Sequence, residues 1–105
     1  ITDKLLADFP NLFGDLSANS GNNGLSRDPE FTAGFLRRHQ DKLLFGSDCP
    51  CSDGRGADTG RAAPRLQGKC VARETLGLLH SHLKGTPALR KITWDNAHRL
   101  YRIPA

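Results

Sequence analysis

Two rhythms of apolar residues alternate along this chain. Ile1, Leu5, Leu6 and Phe9 recur at helical spacing until Pro10-Asn11 interrupts them, which predicts a helix over about 1–9. Residues 11–17, Asn-Leu-Phe-Gly-Asp-Leu-Ser, predict a short strand ending in polar groups, and residues 18–24, all Ala, Asn, Ser and Gly, predict a loop. Asp28-Pro29-Glu30 then supplies an N-cap, a proline at the first helical position and an acidic first turn. With the stripe of Phe31, Phe35 and Leu36 behind it, a helix is predicted over about 29–40. The run Lys42-Leu43-Leu44-Phe45-Gly46-Ser47-Asp48 changes the rhythm to a continuous apolar segment, the pattern of a strand buried on both faces, over 42–48. Alternation puts Leu44, Gly46 and Asp48 on one face and turns Leu43, Phe45 and Ser47 toward a helical layer.

Residues 49–69, with four glycines, two prolines and no apolar period, predict a long loop. Val71, Thr75, Leu78, Leu79 and Leu83 recur at three and four, predicting a helix over 70–84 that Gly85 stops. A last helical stretch over 87–101, broken near Thr93, turns Leu89, Ile92, Ala97, Leu100 and Tyr101 inward.

The resulting order is helix, strand, helix, strand, helix, helix, with a very short connection into the second strand. It implies an α/β architecture in which a crossover helix joins parallel strands. Two strands neither close a barrel nor cover both faces of a sheet, so further strands are expected from a longer chain or from other copies. The absence of Met, the opening on Ile1-Thr2-Asp3 as if inside a helix, and a hydrophobic content of only 37% in 105 residues favour the longer chain. No apolar stretch approaches the roughly 20 residues of a membrane span, so a soluble chain without a membrane partner is expected.

The net charge of +4 is spread through the helices except for Arg55, Arg61, Arg65 and Lys69 in the long loop, and no aromatic residues interleave with it. Nucleic acid is therefore not an expected partner. An odd set of cysteines, Cys49, Cys51 and Cys70, with no secretion signal, points to a reducing, cytoplasmic setting.

Candidate chemistry gathers where the strands end. Asp48, a carboxylate closing an apolar strand ahead of a Pro- and Gly-rich loop, stands where a barrel enzyme keeps a catalytic acid, and Gly46 leaves room beside it. A carboxylate that caps the turn after the strand is the competing role. Ser17, Asn22 and Arg27, at and after the end of the first strand, are candidate substrate contacts, against ordinary duty as strand-end, turn and surface groups. Cys49, Cys51 and Cys70 form a candidate thiol cluster for metal or redox chemistry, or a staple between Cys51 and Cys70. Three thiols, however, are one ligand short of a closed zinc site. His39, His80, His82 and His98 all fall in predicted helices, and the two-residue spacing of His80 and His82 points them to different faces, so none is expected to ligate a metal. The loop cations would favour a small substrate bearing a carboxylate.

Four strings, Asp-Leu-Ser at 15–17, Arg-Asp-Pro-Glu-Phe at 27–31, Leu-Phe-Gly-Ser-Asp at 44–48 and Ile-Thr-Trp-Asp-Asn-Ala-His-Arg-Leu at 92–100, occur in this order. Together they resemble the C-terminal part of the amidohydrolase-related (amidohydrolase 2-like) metal-dependent hydrolases. The resemblance implies a (β/α)8 TIM-type barrel of which this chain supplies the last two strands with their helices. It further implies that Asp48 is a metal ligand and proton shuttle, that the cofactor is a divalent metal, in the first place zinc, and that the histidine ligands come from earlier strands. The chain alone would then be inactive. Relatives on the same barrel are decarboxylases that cleave C–C bonds, and a small cysteine-based metal-binding or interaction module is the non-enzymatic alternative.

Overall fold

A computed structural model describes residues 1–49, 66 and 68–104. Its described elements are α1 (Thr2–Asp8), β1 (Gly14–Asp15), α2 (Ala18–Ser26), α3 (Pro29–Arg38), β2 (Leu43–Leu44), α4 (Val71–Leu83), α5 (Pro87–Arg90), a π-helical turn (Lys91–Asp95) and α6 (Asn96–Tyr101). β1 and β2 pair in parallel, Gly14 opposite Leu43 and Asp15 opposite Leu44. The ladder is shorter than the predicted strands, because only Gly14 N–H to Lys42 O (2.8 Å) and Leu16 N–H to Leu44 O (2.9 Å) extend it.

Leu43 and Phe45 pack into the helical core with Leu6, Leu36, Leu79, Leu83 and Ile92, whereas Leu44 lies outside that cluster. A Cβ on Gly14 would meet Leu43 and Leu6, so this face of β1 is also the helical one. Asp15 therefore belongs to the opposite face, with Leu44. Among the described residues no helix is long and apolar enough to cross a membrane.

The predicted loop over 18–24 is instead helix α2. Its composition is poor for a helix, and what overrides it is tertiary contact. Leu25 and Asn22 are buried, Asn22 Nδ2 donates to Thr75 Oγ1 of α4 at 3.0 Å, and Thr32 Oγ1 of α3 donates to Leu25 O at 2.7 Å. Gly21 is what lets α2 turn back so closely on β1, since a Cβ there would lie 2.2 Å from Leu16 O.

The last helical stretch carries its break as the π turn across Thr93. Asn96 N–H bonds back five residues to Lys91 O, so it does not engage Ile92 O. That carbonyl accepts Phe45 N–H at 2.9 Å. Asn96, fully buried, donates its Nδ2 to Gln40 O (2.7 Å) and Leu43 O (2.8 Å). In a parallel ladder the groups of Leu43 and Phe45 point away from β1, so the π turn and Asn96 cover an edge of β2 that would otherwise be bare.

Helix α1 buries only Leu6 and is latched to the segment that leads into β2. Asp3 Oδ1 meets His39 Nε2 at 2.6 Å and Arg38 at 3.2 Å, and Lys42 Nζ donates to Leu6 O and, at 2.7 Å, to Phe9 O. The hydrogen bond from His39, with the Arg38 guanidinium second among the favourable partners, holds the Asp3 carboxyl below its ordinary value.

Candidate functional site

The mouth of the structure forms where β1 and β2 end. After Phe45 the chain passes Gly46 and Ser47 and enters the left-handed region at Asp48, φ 46°, a conformation Asp tolerates better than most side chains. Asp48 is exposed, and among the described residues its carboxylate makes no hydrogen bond or ion pair. Ala18 N–H donates to Ser47 O at 3.0 Å, which ties the start of α2 to the residue just before Asp48. Among the described residues, then, this carboxylate caps no turn.

Gly46 has a specific neighbour. A Cβ at this position would lie 2.3 Å from Ser17 Oγ and 3.1 Å from Asp15 Oδ1. Asp15 Oδ1 accepts both Ser17 N–H, at 2.9 Å, and the Ser17 hydroxyl. A second carboxylate thus stands at the strand ends, braced by the serine and admitted by the glycine. The sequence reading passed over Asp15, although its place two residues before Ser17 on an alternating strand was a usable signal.

The other candidates are dispersed. Ser17 is engaged with Asp15, while Arg27 lies exposed at the end of α2 and lines, with Asp15, Ser20 and Thr32, a groove of about 460 Å³. Asp48 does not line it. Asn22 departs from its expected place in a loop: it is a buried strut between α2 and α4, with its amide spent on Thr75. Cys49 departs from the expected thiol cluster, because it is disulfide-bonded and so is no free thiol; its Sγ lies 3.5 Å from that of Cys70 at the N-cap of α4, and it packs against Leu66 and Val71. Cys51, the proposed Cys51–Cys70 staple, and Arg55, Arg61 and Arg65 lie outside the described residues.

The histidines sit in helices or at their ends. His39 is buried against Asp3, His80 and His82 lie in α4, and His98 stacks on Trp94 at 4.2 Å while its Nδ1–H donates to Ile103 O at 3.1 Å.

Among the described residues no three His, Cys, Asp or Glu side chains gather as a metal site. Asp48 fits a metal as one ligand, being a hard oxygen donor at an open strand end with no competing partner. It cannot hold an ion alone.

A family model described as Amidohydrolase matches residues 4–103. No curated protein and no solved structure matches the chain. The matched family generally uses divalent metals and includes decarboxylases as well as hydrolases. Because the match covers α1 to α6 and includes the strand end that carries Asp48, the chain belongs to the amidohydrolase family.

Proposed function

We propose that this chain is the acid-bearing C-terminal part of a metal-dependent hydrolase, contributing the last two strands of a (β/α)8 barrel and Asp48 as metal ligand and proton shuttle. The observation that carries this reading is the open, unpartnered carboxylate of Asp48 at the end of a strand whose preceding backbone is bonded on both edges. In the barrel, β1 and β2 would be strands seven and eight.

A divalent ion, in the first place zinc, would supply an acidified water at this mouth. Asp48 would accept that water's proton on a carboxylate oxygen and return it to the nitrogen or oxygen leaving group as the C–N or ester-type bond breaks. Asp15, braced by Ser17, offers a fixed acceptor for a donor group on the substrate. The substrate is a small molecule, and Arg27 supplies one cation for a carboxylate on it. The histidine ligands would come from earlier strands of a longer protein, so the chain by itself is inactive in this reading. A cytoplasmic setting belongs to the same proposal.

The test is metal content and turnover of the full-length protein with Asp48→Asn. The variant is expected to lose bound zinc and at least about a hundredfold in turnover, the scale of a lost acid–base group. Retention of both would end the reading. Scoring carbon dioxide against released amine or acid separates the hydrolase from the decarboxylase that the family also contains.

A further inference from the structure

Asp48 lies four residues beyond a strand that is held on both edges by different means. Toward β1 the holding is an ordinary ladder, through Lys42 O and Leu44 O. On the other edge no strand is present among the described residues, and a helical segment does the work. Ile92 O accepts Phe45 N–H at 2.9 Å, and the two donors of the Asn96 carboxamide are spent on Gln40 O and Leu43 O. Asn96 Oδ1 in turn accepts from Arg99 at 3.3 Å, and the same guanidinium donates to Asp41 O at 2.8 Å.

This arrangement costs more than helix packing alone requires. A fully buried amide must be desolvated, and it offsets that cost only by satisfying Gln40 O and Leu43 O, which an apolar side chain of the same volume would leave unpaired. The π turn is a second cost, because it gives up regular i to i+4 bonding to release a single carbonyl. Both are directed at the same four residues, Gln40, Leu43, Phe45 and, through Arg99, Asp41, all immediately before the strand end that presents Asp48.

We propose that Asn96, acting with the carbonyl of Ile92, is a positioning residue for Asp48: it fixes the height and direction at which the strand delivers the carboxylate to the mouth. The inference rests on the reading of Asp48 as a metal ligand. It adds that the Asn-Ala-His-Arg motif at 96–99 serves the site through the backbone it holds. A ligand delivered by a strand needs its support fixed to within about 0.5 Å, and these bonds provide it.

Zinc affinity of the full-length protein, measured by competition with a chelator, tests this in four proteins: wild type, Asn96→Ser, Asp48→Asn and the double variant. Asn96→Ser is expected to weaken zinc binding about tenfold, as lost outer support does, and to add nothing in the Asp48→Asn background. An equal loss in both backgrounds, or no loss in either, overturns the proposal, because general loosening of the fold does not depend on Asp48. Unchanged affinity in Asp48→Asn alone instead removes the reading on which the proposal stands, and the two failures are thereby told apart. Should Asn96→Ser not fold, Arg99→Gln at an exposed position carries the same comparison, with a loss of about threefold expected in the wild-type background only.

Discussion

Helices α2 and α3 follow one another directly, yet they are helical for opposite reasons. α3 is written into its own residues: Asp28 accepts Phe31 N–H at 3.1 Å as an N-cap, Pro29 opens the first turn, and Thr32, Phe35 and Leu36 bury one face. α2 has none of this, for Ser17 at its N-cap spends its hydroxyl on Asp15 and its nine residues include two glycines and three asparagines. What makes α2 a helix is its surroundings: β1 behind Gly21, α4 across Asn22 and α3 beneath Leu25. A helix that forms because of its neighbours can sit tightly against the mouth, where a self-sufficient helix with larger side chains would not fit.

The sharpest way to break this contrast is Gly21→Ala. Propensity alone says that alanine should stabilise a helix by about 1 kcal/mol, but the new methyl would stand 2.2 Å from a backbone carbonyl that cannot step aside. Overpacking against fixed backbone is expected to win by about 2–3 kcal/mol net destabilisation, read from urea denaturation. A gain in stability would mean that α2 is not pressed on β1. Asp28→Ala probes the other helix, where loss of the cap is expected to cost about 1 kcal/mol by the same measurement. Gly24→Ala should give the smallest effect and the opposite sign. Nothing lies within 4 Å of a Cβ there, so α2 is expected to gain about 0.5–1 kcal/mol at this position. Two glycines three residues apart in one helix, responding with opposite signs, would establish that tertiary fit rather than local preference governs α2.

The same distinction explains what could be read from the residues alone. α3 advertises itself through a cap, a proline and an apolar stripe, α4 through its repeating stripe and the Gly85 stop, and their boundaries in the structure fall within about two residues of those signals. α2 was invisible because no local rule records a partner 53 residues away. The strands were legible as apolar runs, but their true ladder is two residues each, since length depends on which neighbours take up the remaining groups.

At the candidate site, the place of Asp48 just beyond an apolar run was legible, and its exposure agrees with that place. The bracing of Asp15 by Ser17 depends on the room that Gly46 leaves on the neighbouring strand, which no local pattern records. Asn22 misled because asparagine in a glycine-rich stretch has the look of turn chemistry, and only the burial of its amide reveals a packing role. The break near Thr93 was visible, but the identity of the break as a π turn, and the carbonyl it releases toward Phe45, depends on a strand half a chain away.

The double attachment of α1 has a consequence for how this region yields to acid. Its head is held by the Asp3 carboxylate and its tail by the Lys42 ammonium on two carbonyls, and only the first of these loses its charge as solution becomes acidic. Because the carboxyl of Asp3 is held below 3.8 when folded, that contribution is complete above 3.8 and disappears as the pH drops through the lowered value. Acid thus unfastens the helix from one end while the lysine keeps the other, so this corner of the protein peels open before it lets go.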